Sequence, residues 1–469
     1  MDIKDFCVDR KTTIKESMRK IDKNAFGIAF ILNTDESLFG VVTDGDIRRV
    51  LLKGISIEEQ VEKIANINPV VFQESITKDE IPAFLEKKGL IYRLINIKIP
   101  VINAQRKIID IIFVFFEKNR IFFNSIFEDK GSTRITHSPV KTVLIIGGAG
   151  YLGSVLCRKL LNEGYNVKVL DNLTYGEHGI QELLSEKNFH LIKGDIRSIE
   201  SVMDSISNID AVIHLAALVG DPASAINPQK TLEINYHSTK MIAEICKYYQ
   251  INRFAFASTC SVYGKSLSEN DFLTENSKLN PLSLYAKTKI ESEKALKISS
   301  DENFAPTIFR MATIYGLSPR MRFDLVVNLL TAKAYFEKKI YIFGGEQQRP
   351  IIHVEDVADA YLKYLKAPLE KVKGKVFNLG SNEQNYKIIE IAQKIQEFIP
   401  GTSIEIDNSS PDVRDYIVDF TRIKATLDFT PKRTIEYCLN ELKNEFKKDN
   451  YKDYLDSKYN NFEYLQDKL

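Results

Sequence analysis

Tyr285 and Lys289 have the residue types and the spacing for acid–base chemistry. Residues four apart lie on one face of a helix, so the lysine ammonium would lie beside the phenol. A tyrosine ordinarily titrates near pH ~10, and a neighbouring cation favours the phenolate. Thr259 follows an apolar strand and could hydrogen-bond the substrate oxygen that loses its proton. These residues predict a base that deprotonates an alcohol, although such a pair is also common on helix surfaces.

A glycine motif, Gly147 to Gly153, could bind the partner in that reaction. It reads G-x-x-G-x-x-G, follows the predicted strand Thr142–Ile146 and opens the predicted helix Tyr151–Leu161. Glycines allow a tight turn and close approach of a pyrophosphate, and the helix N-terminus offers unpaired N–H groups to it. Asp171 ends the next strand, where a carboxylate binds ribose hydroxyls and repels a 2′-phosphate. The pattern therefore predicts NAD rather than NADP.

Other residues of the expected cofactor site follow the ends of the predicted strands. They are Gly150, Tyr151, Leu152, Asn172, Asp195, Ile196, Leu215, Ala216 and Ala217. Asp195 has two interpretations, because its carboxylate could bind the adenine amino group or could cap a helix.

The elements that must position these residues alternate regularly from Lys141 onwards. Further strands are predicted, with helical patterns between them, at Asn166–Leu170, His190–Lys193, Ala211–Leu215, Arg253–Ala257 and Pro306–Ile314. Such alternation predicts a parallel α/β sheet covered by helices on both faces. Open sheets of this kind bind ligands at the carboxyl ends of their strands, so both motifs would lie at one edge.

With these motifs in place, residues 141–435 resemble the extended short-chain dehydrogenase/reductases, the nucleotide-sugar epimerases and dehydratases. The matching elements are the glycine loop, Asp171, His214–Ala217, Thr259, Val262–Gly264, Tyr285, Lys289 and Arg349–Asp356. The resemblance implies a Rossmann-type doubly wound sheet with a small C-terminal substrate-binding lobe. It also implies that Tyr285 is the base, Lys289 its activator and a ribose ligand, and Thr259 the hydroxyl partner.

The resemblance further implies a site for the diphosphate of a nucleotide sugar. Arg349 would hold the diphosphate, Arg414 lies near the place of a second arginine, and Asn328 lies where the family often contacts the diphosphate or the sugar. A guanidinium suits this task because it binds phosphate bidentately and stays charged. Arg320 and Arg322, in a less usual segment, either add to anion binding or lie in a solvated loop.

The two residues after Thr259 separate the reactions open to such a site. The 4,6-dehydratases of the family carry an Asp-Glu pair there, whereas this chain has Cys260 and Ser261, so dehydration lacks its proton donor. In the 3,5-epimerases and GDP-fucose synthases the catalytic cysteine stands one position later, so we interpret Cys260 as a packing residue. What remains is oxidation at one carbon, by a 4-epimerase or a 4-dehydrogenase. We favour the epimerase; a catalytically inactive NAD-binding sensor is the non-enzyme alternative.

Residues 1–125 differ in sequence pattern from the rest of the chain. They resemble a cystathionine-β-synthase (CBS) domain pair with an α+β fold. The resemblance rests on Phe39–Arg49, in which Thr43 and Asp46 would contact the phosphate and ribose of an adenine nucleotide. The second half lacks this signature, so one nucleotide site is expected at most. A pair used for dimerisation alone is the alternative.

The remaining segments and the composition argue against several other classes of protein and of site. Residues 126–140 are predicted to be a linker, and residues 436–469 a charged helical tail without evident chemistry. The net charge of +1 gives no field that would attract nucleic acid or a membrane. Five scattered cysteines without C-x-x-C spacing argue against a disulfide framework or a metal site. No apolar run approaches the ~20 residues of a membrane span. We therefore expect a cytoplasmic protein, and the resemblance of both modules implies a homodimer or a higher homo-oligomer.

Overall fold

A computed structural model describes residues 3–24, 27–51, 54–77, 80–88, 96–117, 120–125, 140–249, 251–265, 272–301, 304–409, 414–466 and 468. The chain forms two compact units, Met1–Ile135 and Thr136–Leu469. The predicted linker, residues 126–140, lies outside the described residues except for Val140. No helix in the described ranges is both long and apolar enough to cross a membrane.

The described residues of the first unit form two small sheets and three α-helices. Its strands are β1 (Cys7–Asp9), β2 (Ile28–Leu32), β3 (Leu38–Thr43), β4 (Phe72–Gln73), β5 (Asn96–Ile102), β6 (Ile108–Glu117) and β7 (Arg120–Ser125). Its helices are α1 (Ile14–Asn24), α2 (Asp44–Leu51) and α3 (Ile81–Lys87).

The topology of the first unit repeats. In the first half, β1 pairs parallel with β2, and β2 pairs antiparallel with β3. In the second half, β4, β5 and β6 pair in the same parallel and antiparallel order. Phe30 and Val41 from the first half pack in one apolar cluster with Ile102 and Ile111 from the second. The two halves therefore share a core.

The second unit alternates strands and helices. Its strands are β8 (Thr142–Ile146), β9 (Asn166–Asp171), β10 (Phe189–Lys193), β11 (Ala211–His214), β12 (Phe254–Thr259), β13 (Phe272–Leu273), β14 (Thr307–Met311), β15 (Thr313–Tyr315), β16 (Lys339–Phe343), β17 (Gln348–His353), β18 (Val376–Leu379), β19 (Asn385–Lys387), β20 (Ser403–Asp407) and β21 (Ile417–Val418). Its helices are α4 (Tyr151–Asn162), α5 (Ile199–Ile206), α6 (Asp221–Ile226), α7 (Pro228–Leu232), α8 (Ser238–Tyr248), α9 (Leu284–Ile298), α10 (Val326–Glu337), α11 (Val354–Lys366), α12 (Leu369–Val372), α13 (Ile388–Phe398), α14 (Thr421–Leu427), α15 (Ile435–Lys447) and α16 (Asn461–Gln466).

Seven parallel strands form the central sheet of this unit, in the order β10-β9-β8-β11-β12-β14-β18. The chain runs outward from β8 in one direction through β9 and β10, then returns to continue through β11 on the other side. The reversal beside β8 makes a crevice at the carboxyl ends of the strands. The predicted Rossmann-type doubly wound sheet is confirmed. The single predicted strand Pro306–Ile314 is wrong, because the chain divides there into β14 in the main sheet and β15, which pairs with β17.

The C-terminal part is more closely integrated than its charged sequence indicates. α15 buries Leu439, Leu442 and Phe446 in the main core of the second unit. Beyond it, Tyr451 and Tyr459 contact the Phe323 ring edge-on, each at 5.5 Å between centroids. These residues are therefore part of the second unit's fold and not a separate appendage.

The glycine loop between β8 and α4 is folded too tightly for side chains. Gly147 has φ +91°, and a Cβ there would lie 2.6 Å from the Ala216 backbone nitrogen. At Gly153 a Cβ would lie 2.3 Å from the Gly147 carbonyl oxygen. The loop thus packs against the start of α4 and the segment after β11 through bare backbone.

We expect Gly153→Ala to lower the free energy of unfolding by about 1–3 kcal/mol, because the added methyl group meets backbone that cannot yield. Gly150→Ala is the matched control, since its Cβ would meet the nearest atom, the Gly147 oxygen, at an ordinary 3.6 Å. Its loss should stay below about 1 kcal/mol, the cost of a poorer helix N-cap. Urea unfolding of both variants measures the difference; equal losses would contradict the close packing.

Candidate active site

A cavity of about 980 Å³ opens at the carboxyl ends of the central strands. It brings together nearly all site residues predicted in the second unit. Those lining it are Gly147, Gly150, Tyr151, Leu152, Gly153, Asp171, Asn172, Asp195, Ile196, Leu215, Ala216, Ala217, Thr259, Tyr285, Lys289, Arg349 and Arg414. Asn328 is fully buried and does not line the cavity.

At one end of the cavity Asp171 braces the glycine loop. Its Oδ2 accepts a hydrogen bond from the Ala149 amide at 2.9 Å, and its Oδ1 accepts one from the Leu173 amide at 2.8 Å. Burial raises the pKa of this carboxyl, while the two backbone bonds oppose the rise. A carboxylate at the end of β9, beside a loop without side chains and the first turn of α4, fits the ribose and pyrophosphate of a dinucleotide.

Asp195 lies on the cavity wall but is not a helix cap. Its carboxylate accepts hydrogen bonds from the Arg197 guanidinium at 2.7 and 3.1 Å. Burial alone would raise its pKa, but these bonds lower it. The cap of α5 is instead Ser198, whose side chain accepts from the Ser201 amide. The capping interpretation of Asp195 is therefore wrong, and an ionised carboxylate remains at the cavity.

At the other end, α9 presents Tyr285 and Lys289 toward the end of β12. Ser283 caps this helix, and its side chain accepts a hydrogen bond from the Ala286 amide. The Tyr285 phenol and the Thr259 side chain both line the cavity, and Thr259 acts to lower the pKa of the phenol. Lys289 donates to the Ala257 carbonyl at 2.8 Å, and its Nζ lies 5.9 Å from the centre of the Tyr285 ring. The three predicted catalytic residues thus lie together.

The expectation that Lys289 lowers the pKa of Tyr285 is not met by the protein's own groups. Burial raises the pKa of Tyr285 well above its usual value, and the negative charge of Asp221 raises it further. Arg322 and Thr259 oppose the rise in the pKa of Tyr285 without overcoming it. Burial also lowers the pKa of Lys289 to about 7. Because neither group keeps its hydration, the protein alone favours the neutral form of the phenol.

A buried ion pair supports α9 on the side away from the cavity. Glu293, one turn beyond Lys289, binds the Arg310 guanidinium at 2.7 Å, and both side chains are 2% exposed. Glu293 also accepts from the Ser258 hydroxyl at 2.5 Å, and Arg310 donates to the Tyr263 hydroxyl at 3.0 Å. The composition of α9 gave no signal for this network, since a Glu four residues after a Lys is ordinarily a surface pair.

Cys260 points away from the cavity. It is buried, and its thiol donates to the Arg310 carbonyl at 3.2 Å. Burial raises the pKa of this thiol, so the thiolate is disfavoured. Ser261, the next residue, does line the cavity. The placement agrees with a packing role for Cys260.

The residues predicted for the substrate diphosphate divide into two groups. Arg349 and Arg414 line the cavity; Arg349 donates to the Arg414 carbonyl at 2.5 Å, and Arg414 binds Asp221 at 2.9 Å. Asn328 instead accepts from the Gly316 amide at 2.9 Å and donates to the Arg322 carbonyl at 2.9 Å. In this arrangement Asn328 supports the loop after β15.

The sequence left two alternatives open for Arg320 and Arg322, anion binding or a solvated loop. Both residues are buried on the cavity wall, so the solvated-loop alternative is wrong. Sequence reasoning missed other residues of this wall. Arg322 binds Asp324 at 2.7 Å, and Asp324 accepts from the Asn461 amide at 3.2 Å. Residues 460–462, at the start of α16, complete the wall. The tyrosines scattered through the charged tail were the one sign that it packs.

In the first unit, Thr43 and Asp46 bond to each other at the turn between β3 and α2. Asp46 accepts from the Thr43 amide at 2.9 Å and from its hydroxyl at 2.6 Å. It also binds Arg49 at 2.6 Å. A hydroxyl, a carboxylate and a guanidinium are thus grouped at one strand-to-helix turn.

Comparison with known proteins identifies relatives of the second unit. Residues 143–380 match the model of the NAD dependent epimerase/dehydratase family. A UDP-glucose 4-epimerase of Lactobacillus helveticus is 30% identical over 62% of this chain and 92% of its own length.

Comparison with solved structures also finds similar enzymes. A UDP-glucose 4-epimerase of Thermotoga maritima with UDP-glucose is 28% identical, with a TM-score of 0.58 over 66% of this chain and 99% of its own. A UDP-glucuronic acid 4-epimerase of Bacillus cereus, in complex with UDP-glucuronic acid and NAD, is 26% identical, with the same TM-score and the same coverage of both chains.

The lowered pKa of Lys289 predicts a pH dependence of stability. Unfolding returns the ammonium to its usual pKa near 10.5, so between pH 7 and 10.5 the unfolded chain binds a proton that the folded protein lacks. The stability of the wild type relative to Lys289→Met should therefore rise with pH across this window, by up to about 1.4 kcal/mol per pH unit.

Urea unfolding of the nucleotide-free proteins at several pH values measures this difference. Lys287→Met is the control on the same helix, because Lys287 is exposed and keeps its hydration when folded. Its difference from the wild type should stay flat. A flat difference for Lys289→Met as well would show that Lys289 is not desolvated.

Proposed function

Because this chain belongs to the NAD-dependent epimerase/dehydratase family of nucleotide-sugar enzymes, we propose that it is a nucleotide-sugar 4-epimerase that works through a 4-keto intermediate. The observation that carries the proposal is the group at the end of β12. There Tyr285, Thr259 and Lys289 line the cavity together, and the positions after Thr259 carry neither a carboxylate nor an exposed thiol.

Each residue of this group has a defined task. NAD, when bound, supplies the hydride acceptor and a positive charge that favours the phenolate of Tyr285. Tyr285 takes the proton of the C4 hydroxyl while the C4 hydrogen leaves as hydride, which makes the C4 ketone. Thr259 positions the hydroxyl oxygen, and Lys289 orients the nicotinamide ribose and steadies the phenolate. Arg349 and Arg414 hold the diphosphate of the sugar nucleotide.

The alternatives differ in the fate of the oxidised sugar. An epimerase keeps the keto sugar, lets it turn and returns the hydride to the opposite face. A 4-dehydrogenase releases the keto sugar and leaves reduced cofactor. Elimination of water would need an acid beside Thr259, and Cys260 is turned into the core with a raised pKa. The similar enzymes from Thermotoga maritima and Bacillus cereus are both 4-epimerases, which favours the first outcome.

We expect the purified protein to convert UDP-glucose or UDP-glucuronic acid into a product of equal mass and altered chromatographic retention. In deuterated water the product should carry no deuterium at carbon, because the hydride taken from C4 is the one returned. Tyr285→Phe should lower turnover by about 10²–10⁴-fold, since the general base is lost. Mass spectrometry after separation measures both results.

Tyr437→Phe is the matched control, because Tyr437 lies on α15 and does not line the cavity. NAD binding to Tyr285→Phe, followed by calorimetry, should be retained. Loss of two hydrogens from the product would instead indicate a dehydrogenase, and loss of water a dehydratase. Unchanged turnover in Tyr285→Phe would refute the mechanism, and no product from UDP-, GDP-, CDP- or dTDP-sugars would favour the sensor.

We also propose that residues 1–125 are a CBS pair that binds an adenine nucleotide and regulates the enzyme through a homodimer. The grouping of Thr43, Asp46 and Arg49 at one turn supports a ribose and phosphate site. The repeated strand topology of the two halves supports the pairing. Residues 141–435 would then form the catalytic part.

An adenine nucleotide should raise the melting temperature of the full chain, and Asp46→Ala should abolish that rise by removing the ribose acceptor. Glu58→Gln, at an exposed carboxylate paired with Lys15, is the control and should keep the response. Differential scanning calorimetry with AMP, ADP, ATP and the guanine nucleotides measures the shift. Indifference of both melting temperature and turnover to every nucleotide would refute the regulation.

A further inference from the structure

Arg320 is a buried guanidinium whose hydrogen-bonding capacity is not used. Its side chain is 1% exposed, and neither Nε nor Nη2 has an acceptor among the described residues. The guanidinium lies over the Tyr175 ring, 4.1 Å from its centre. Asp324, a nearby carboxylate, is already bound by Arg322. Buried donors left in this state cost free energy, so the arrangement favours an added acceptor.

Arg320 is held at the first turn of α4. The Ser318 hydroxyl donates to the Tyr151 carbonyl at 2.7 Å, which docks the segment on the helix. Gly179 lies between, since a Cβ there would be 2.9 Å from the Arg320 Cβ and 3.0 Å from the Ala149 oxygen of the glycine loop. α4 runs for 12 residues, so its positive end and its unpaired amides act beside Arg320.

The C-terminal segment packs against the Tyr175 ring, over which the Arg320 guanidinium lies. The Tyr464 ring lies 5.5 Å from the Tyr175 ring, and Phe462 packs in the same small apolar cluster. Burial lowers the pKa of Arg320 to about 10, so the guanidinium is still charged at neutral pH. A charge shielded from water binds an anion more strongly than an exposed one does.

We propose that Arg320 and the first turn of α4 together bind a diphosphate, and that this diphosphate belongs to the NAD cofactor. The place beside the glycine loop favours the cofactor, since Arg349 and Arg414 lie elsewhere on the wall. Both the cofactor and a nucleotide sugar contain a diphosphate, so the test must separate them. The inference rests on NAD dependence and not on the 4-epimerase reaction.

Calorimetric titration of the full chain with ADP-ribose, UDP and adenosine provides the test. Arg320→Gln should weaken ADP-ribose binding by about 10–100-fold, the range of a charge-assisted hydrogen bond. UDP and adenosine binding should change less than about twofold. Arg320→Lys should recover part of the loss because it restores the charge, and Lys287→Gln, at an exposed position of α9, should bind all three ligands as the wild type does.

A loss confined to UDP would overturn the assignment and give Arg320 to the substrate. Unchanged ADP-ribose binding in Arg320→Gln would overturn the site itself. An equal loss for all three ligands, with a lower melting temperature and no recovery in Arg320→Lys, would show a purely structural arginine. Because turnover is not measured, an absent epimerase activity leaves these outcomes unaffected.

Discussion

The buried ion pair between Glu293 and Arg310 fixes the position of α9 on the sheet. A buried pair adds little net stability, but breaking one is costly because the remaining charge has no water. Rotating α9 about its axis would break the pair and bury an uncompensated carboxylate. The same rotation would turn Tyr285 and Lys289 away from Thr259. The cost of breaking this one ion pair therefore keeps Tyr285 and Lys289 beside Thr259 at the cavity.

The protein positions Tyr285 and Lys289 but does little to ionise them. Burial opposes ionisation of Tyr285 and of Lys289 alike, so neither is strongly activated by the protein itself. Under the proposed mechanism, the positive charge that favours the phenolate would come with the oxidised cofactor. Tyr285 would then become an effective base only when NAD is bound.

Local sequence patterns were sufficient to predict a site residue where few other residue types could do the same task. The glycines of the loop and the acid that ends β9 could be read from spacing, because backbone approach and ribose binding leave few alternatives. The pair on α9 could be predicted from the helical period. Long-range contacts could not be predicted in the same way. Asn328 was expected to contact the diphosphate or the sugar, but it is buried and bonds to the Gly316 and Arg322 backbone and to the Tyr151 hydroxyl. For Arg320 the sequence could not decide between anion binding and a solvated loop. Burial of those groups depends on segments more than a hundred residues away in the chain, which no local window contains.

The wall formed by residues 460–462 has a consequence for biosynthesis. Every other described residue that lines the cavity precedes this segment in the chain, so it leaves the ribosome after all of them. A nascent chain can form the seven-stranded sheet and the glycine loop while the crevice is still open to solvent on one side. The docking of Tyr451 and Tyr459 on Phe323, which brings this segment to the cavity, is therefore among the last contacts that the chain can form.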